Sequence, residues 1–290
     1  MDLASLRAFV EVARDGSFSQ AAETLFLTQP AISKRIAGLE EELATRLFDR
    51  AGRQVLLTEA GRHLLPRAER IIHELTDIRR ELSNLSGEVA GRLAMATSHH
   101  IGLHRLPLVL RDYSEQYPKV ELDIRFMESE KACQAVEHGE LELAVVTLPP
   151  APAPTLRVQK IWDDPLAVIV SDSHRMAQLP HPGLSDLAAW PAILPAANTY
   201  TRQLAERAFA TLKLELDVAL STNYLETIKM LVSVGIGWGL LPVTMLDAGI
   251  RVLPVRALDV RRELGTVQHR DRTLSNAART LKEMLLQSTA

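Results

Sequence analysis

Ser17-Phe18-Ser19-Gln20-Ala21-Ala22-Glu23-Thr24-Leu25-Phe26-Leu27-Thr28-Gln29-Pro30-Ala31-Ile32-Ser33-Lys34-Arg35 is the stretch on which the reading of the fold turns. Ser17 and Gln20 have the spacing of a capping box. The Ser17 hydroxyl can accept from the third helical amide while Gln20 reaches back, so a short helix is expected through Ala21, Ala22 and Leu25. After a turn at Phe26-Leu27, Thr28 or Gln29 caps a second helix whose first turn holds Pro30, where a missing N–H costs nothing. Ile32, Ile36, Leu39 and Leu43 recur there at helical spacing and are expected to face inward together. The opposite face bunches Gln29, Ala31, Ser33, Lys34 and, at its side, Arg35. Two short helices joined by a tight turn, the second offering donors and cations outward, describe a helix-turn-helix whose recognition helix enters the major groove.

The flanks extend this pattern. Upstream, Leu6, Phe9, Val10 and Ala13 line one face of a helix from Leu3 to Ala13, ended by Gly16. Downstream, Gln54 to Thr58 reads as a strand paired back across Ala51-Gly52-Arg53, a wing that exposes Arg50 and Arg53. Thr58 can then cap a long helix on which Leu64, Ala68, Ile71, Leu75, Ile78, Leu82 and Leu85 alternate at four and three, a heptad seam. Such a helix of ~28 residues would be ~42 Å long. Pro66 is expected to kink its first two turns. A second chain is the economical partner for the seam, with Ile71, Leu75, Ile78 and Leu82 as dimer contacts; ordinary core against the rest of the chain is the alternative.

After Gly87 and Gly91 the pattern changes to alternating strand and helix, read as a parallel α/β sheet. Strands are expected over 92–97, 120–126 and 141–147, and helices near 103–117 and 131–138. Four prolines between Leu148 and Pro154 make a stiff crossover. A second strand set follows at 166–170, 193–194 and 218–221, with helices near 201–212 and 225–234. A strand over 263–269 returns toward the first lobe, and a helix over 277–286 ends the chain. Two such lobes form a cleft at the strand ends, the usual ligand position in open α/β sheets. The domains are therefore 1–58 (winged helix-turn-helix), 59–87 (linker and dimerisation helix) and 88–290, with lobe I at 88–160 and 265–290 and lobe II at 161–264.

Composition narrows the class. The 290 residues are 47% hydrophobic and 24% charged, with 33 Lys+Arg against 36 Asp+Glu, so disorder and collagen-like architectures are excluded. A net charge of -3 gives no global sign of a nucleic-acid binder, and any DNA contact must come from local cations. No apolar run approaches the ~20 residues of a membrane span, and no signal peptide is visible, so the chain reads as cytoplasmic, with no membrane partner. The single cysteine, Cys133, excludes an intramolecular disulfide and multi-cysteine metal sites.

Phe18-Ser19-Gln20-Ala21-Ala22, Leu27-Thr28-Gln29-Pro30-Ala31-Ile32-Ser33, Ile36 to Leu47 with Glu40, and Leu47-Phe48-Asp49-Arg50 through Leu57-Thr58-Glu59-Ala60-Gly61 closely resemble the DNA-binding end of LysR-type transcriptional regulators. Gly139-Glu140-Leu141-Glu142-Leu143-Ala144 and Gly235-Ile236-Gly237-Trp238-Gly239-Leu240-Leu241-Pro242 are similar to that family's periplasmic-binding-protein-like effector domain. The resemblance implies a homodimer or homotetramer that binds a double-stranded DNA operator and answers a small molecule in the cleft, with RNA polymerase as a further partner. The candidate DNA contacts are Ser19, Thr28, Gln29, Pro30, Ser33, Lys34 and Arg35, with Arg50 and Arg53 on the wing.

For the effector a small anion is expected, a carboxylate or an inorganic oxyanion such as sulfate or sulfite. Thr97-Ser98-His99-His100 lies where a strand meets a helix, and helix N-termini present free amides and a positive dipole end. Asn198-Thr199-Tyr200-Thr201-Arg202 stands at the equivalent junction of the second lobe, and Thr147 ends a strand of the first. These positions are similar to the hydroxyl-rich sites of family members that sense sulfate-like anions, from which His100 and Ile101 depart. The alternative use of Ser98 and Thr201 is as helix caps.

Other chemistries lack an anchor. Gly235-x-Gly-x-Gly follows a helix rather than a strand, unlike a dinucleotide loop. No Gly-x-Ser-x-Gly elbow supports a hydrolase. His100 and His104 form an i,i+4 pair without a third metal ligand of matching spacing. No catalytic residue, cofactor or metal site is assigned, and no enzyme is expected. The alternative function is a cytoplasmic small-molecule binding receptor without direct DNA regulation.

Overall fold

The computed structural model describes residues 1–51, 54–255, 258 and 260–288. The chain divides into two units, Met1–Ser86 and Gly87–Ala290.

In the first unit α1 (Leu3–Asp15), α2 (Phe18–Thr24) and α3 (Gln29–Glu42) precede a hairpin of β1 (Phe48–Ala51) and β2 (Gln54–Leu57), then α4 (Glu59–Asn84). Gly16 closes α1 at φ 62, a left-handed conformation that costs glycine little. Ser17 Oγ accepts from Gln20 N at 3.3 Å, and Thr28 Oγ1 accepts from Ala31 N at 3.4 Å. Phe9, Phe18, Ile32, Ile36, Leu39 and Phe48 meet in the core. Leu43 does not join them, contrary to expectation: α3 stops at Glu42 and the left-handed Ala44 turns the chain outward, leaving Leu43 exposed.

The wing is tied to its neighbours by side chains. The Glu40 carboxylate of α3 accepts from Leu47 N (2.7 Å) and Phe48 N (3.2 Å). Thr58 Oγ1 donates to Arg46 O (2.7 Å) and caps α4 by accepting from Gly61 N (3.0 Å). A Cβ on Gly61 would stand 2.2 Å from Leu47 O, so only glycine lets α4 start this close to the wing. Helix α4 runs 26 residues without a break at Pro66, which forfeits a single backbone bond near the helix start. Leu64 and Ala68 enter the core, whereas Ile71, Leu75 (37% exposed), Ile78 and Leu82 (64%) form an exposed stripe.

The second unit contains β3 (Gly91–Thr97), α5 (His99–His104), α6 (Pro107–Gln116), β4 (Val120–Phe126), α7 (Ser129–Glu137), β5 (Leu143–Thr147) and β6 (Leu156–Ser171). It continues with α8 (Leu184–Ala188), β7 (Ala192–Leu194), α9 (Tyr200–Ala210), β8 (Val218–Ser221), α10 (Leu225–Ser233), β9 (Trp238–Pro242), β10 (Ile250–Leu253), β11 (Val260–His269) and α11 (Asn276–Gln287). The single helix expected over 103–117 is two, because Pro107 has no N–H to continue the first and starts a new one.

One sheet runs β4-β3-β5-β11-β6-β9-β7-β8, with β10 also paired to β6. It is mixed rather than parallel: β3 pairs in parallel with β4 and β5, and β7 with β8 and β9, but β11 is antiparallel to both β5 and β6. Side-chain alternation carries no strand direction, so the sequence pattern could not distinguish these pairings. The long β6 and β11 both pass between the lobes. Their register shifts between Leu264 and Gly265, leaving Ile161 opposite no partner. A Cβ at Gly265 would meet Gln159 O at 2.1 Å. Among the described residues no helix is long and apolar enough to cross a membrane.

Candidate functional site

The first unit presents the second helix of its helix-turn-helix to solvent. Ser19, Thr28, Gln29, Pro30 and Lys34 are exposed, and Ser33 and Arg35 are half-buried. Gln29 Nε2 donates to Ser33 Oγ at 3.0 Å, so the two form one donor–acceptor unit. Phe26, 96% exposed at φ 54, occupies the turn between α2 and α3, a position that periodicity did not single out. Arg53 and the Arg50 side chain lie outside the described residues.

In the second unit the strand-to-helix junctions of both lobes face one cavity of about 500 Å³. Six of the expected positions line it: Ser98, His99, His100, Thr147, Thr199 and Thr201. The other four do not. Thr97 is buried behind it, donating to Val145 O at 2.8 Å, and Asn198 points to solvent. Tyr200 contributes its amide to Glu130 Oε1 at 2.5 Å, and Arg202 is turned to Glu206 at 2.7 Å. Thr199, not Thr201, caps α9, accepting from Arg202 N; Thr201 instead accepts from Arg262. Ser98 forms no side-chain cap.

Residues that the sequence reading missed complete the lining: Phe126 to Lys131 from the start of α7, Ser221 to Leu225 from the start of α10, and Arg262 from β11. The same junction rule applied after β4 and β8 would have found the first two groups. Arg262 carries no local signal, since its partner is 98 residues away. Its guanidinium pairs with Asp164, which is fully buried, directly across the β6–β11 ladder; the Nε–Oδ2 distance is 2.9 Å. Arg105 approaches the other carboxylate oxygen at 3.9 Å.

Contacts between the lobes hold the cleft. The His99 ring meets Tyr224 edge-on at 5.4 Å, Asn223 Nδ2 donates to Glu128 at 3.2 Å, and His104 Nε2 lies 3.5 Å from Glu226 Oε1. Burial raises the pKa of Glu130, opposed by the Tyr200 amide. His100 is held neutral: burial first, then Arg262, His104 and Arg105, bring its pKa down to about 3, with Glu226 acting in the opposite direction. Cys133 is buried under Tyr200, and burial pushes its thiol up to about 11, an inert protonated form.

A winged helix-turn-helix joined to a two-lobed α/β unit with a hydroxyl-lined cleft defines a class, the DNA-binding regulator with its own ligand-binding domain. Comparison with known proteins gives the family. The family profile "Bacterial regulatory helix-turn-helix protein, lysR family" matches residues 3–62, and "LysR substrate binding domain" matches residues 86–290. The chain belongs to the LysR family of transcriptional regulators. It is 70% identical over 107 residues to an uncharacterized HTH-type transcriptional regulator in the ibpB–leuC intergenic region of Azotobacter vinelandii, covering 37% of this chain and 74% of that one. It is 29% identical over 296 residues to a probable RuBisCO transcriptional regulator of Synechocystis sp., covering 98% and 86%. Among solved structures, a full-length OxyR variant from Pseudomonas aeruginosa superposes with a TM-score of 0.68 at 22% identity, over 99% of this chain and 98% of that one. These curated relatives are transcriptional regulators.

Proposed function

We propose that this DNA-binding regulator recognises its operator as a homodimer or higher homo-oligomer, through α3 and the wing, and that a small anion in the cleft of the second unit sets its activity. The observation that carries the anion reading is a convergence of helix ends. The N-termini of α5, α7, α9 and α10 all contribute to one cavity wall, and the N-cap side chains of α5, α7 and α10 make no capping hydrogen bond. The first-turn amides of α5, α7 and α10, which no N-cap side chain engages, and the positive dipole ends of these helices favour a carboxylate or an inorganic oxyanion; at α9 the Tyr200 amide is already taken by Glu130. Hydroxyls of Ser98, Ser129, Thr147, Ser221 and Thr222 supply further donors.

Thermal unfolding of the full chain against a panel of carboxylates, sulfate, sulfite, and neutral and cationic analogues tests this. A ligand at 100 times its Kd adds about 2.7 kcal/mol to the stability of the native state. Sulfate also stabilises proteins generally by exclusion, so the decisive comparison is Ser98→Ala, which should weaken the specific ligand by about tenfold through loss of one charge-assisted hydrogen bond. Stabilisation by cations alone, or a Ser98→Ala variant that responds like the parent, would overturn the anion reading.

On the DNA side, Lys34→Ala is expected to weaken binding to all sequences and to flatten the salt dependence by about one unit, the signature of a lost phosphate contact. Gln29→Ala and Ser33→Ala should instead alter preference among operators. Because the two side chains are hydrogen-bonded, the double variant should cost less than the sum of the singles, measured by fluorescence anisotropy on matched and mismatched duplexes.

A further inference from the structure

His100 is 6% exposed, and neither nitrogen of its ring has a hydrogen-bond partner. A buried imidazole must normally satisfy at least one of them, so the orphaned pair points to a ligand. One turn further along α5, the His104 ring lies 4.8 Å away, centroid to centroid. Across the cleft, Glu226 in the first turn of α10 reaches His104 Nε2 at 3.5 Å. One ligand atom from each of these three residues lies within 4.8 Å of the others. Spacing along the chain shows only the two histidines. The third group comes from the opposite lobe, 122 residues on.

We propose that His100, His104 and Glu226 form a three-ligand site for a divalent transition-metal ion of the zinc type, bridging the two lobes beside the cleft. Two imidazoles and one carboxylate, with a fourth position open, are a donor set that zinc accepts. Metal–ligand bonds of 2.0–2.1 Å in a tetrahedron place ligand atoms ~3.3 Å apart. The His104–Glu226 separation already matches this distance, while the widest separation must contract by roughly 1.5 Å. Rotation of the two exposed side chains, His104 and Glu226, can supply that contraction. The nearby Arg262 is paired with Asp164, which reduces but does not cancel the positive charge it presents to the ion. Since α5 and α10 belong to different lobes, the bound ion favours whichever lobe arrangement brings Glu226 onto the histidines, and so biases the cleft toward that arrangement.

The proposal shares His100 with the anion reading but does not rest on it. Zinc is titrated with no effector present, and neither the His104 nor the Glu226 side chain lines the cavity of the anion reading, so either reading can fail alone. The experiment is calorimetric titration of zinc chloride into the chelator-stripped full chain, beside cobalt(II) absorption spectra. One equivalent of zinc per chain and the intense visible bands of four-coordinate cobalt are expected. Both exposed ligands can be removed with little risk to folding, and His104→Ala and Glu226→Ala should each lower the affinity by at least about tenfold and abolish the cobalt bands. Circular dichroism of each variant checks the fold. Absence of zinc uptake by the parent, or undiminished affinity in either variant, would overturn the site.

Discussion

Arg262→Met should be the most destabilising single substitution in the second unit, at about 3–5 kcal/mol, because it leaves the Asp164 carboxylate buried without its counter-ion. For a unit of this size the melting midpoint should fall by roughly 10 °C, measured by differential scanning calorimetry. Arg105, at 3.9 Å, is too distant to take over the hydrogen bonds. The companion variant Arg262→Met/Asp164→Leu should recover most of the loss, since an apolar pair of similar volume replaces a buried ion pair at little cost. A double variant as unstable as the single would mean that Arg262 acts through Thr201 and the cleft rather than through the buried acid.

Leu75→Glu is expected to convert the regulator from dimer to monomer in sedimentation velocity at micromolar concentration. The seam of Ile71, Leu75, Ile78 and Leu82 is exposed on the single chain, and a glutamate at its centre would face its symmetry mate across an apolar interface. Two recognition helices set about 34 Å apart reach successive major grooves of one operator. Separating them forfeits the intramolecular second contact, so affinity for a two-half-site duplex should drop by ~100-fold or more, while affinity for an isolated half-site stays nearly constant. A Leu75→Glu chain that still sediments as a dimer would assign the stripe to another use.

Much of the first unit is legible in the sequence because its signals are local. Ser17, Thr28 and Thr58 announce three helix starts from their own sequence neighbourhoods, and the structure finds each accepting the expected amide. Leu43 misleads because spacing cannot show where a helix stops. In the second unit the pattern marks the strands at Val120–Phe126 and Val218–Ser221 to the residue, yet it misses β9 and gives the wrong sheet direction. Trp238–Pro242 is short and glycine-interrupted, and pairing direction is a property of distant partners. The cleft shows the same division. The junctions at Ser98–His100 and Thr199–Thr201 are found from composition, those that open α7 and α10 are missed although the same rule covers them, and Arg262 owes its position to the crossing of the chain between lobes and to nothing adjacent in sequence.

That crossing also limits how the lobes can move. Strands β6 and β11 are hydrogen-bonded to each other over most of their length, and the ladder loses its rhythm only at Ile161 and the Leu264–Gly265 step. A pair of rails coupled in this way resists sliding and resists separation, but it yields to torsion at its one missing rung. The Gly265 backbone is pressed against Gln159 at that step, with no room for a side chain, so any substitution there would prise the two rails apart.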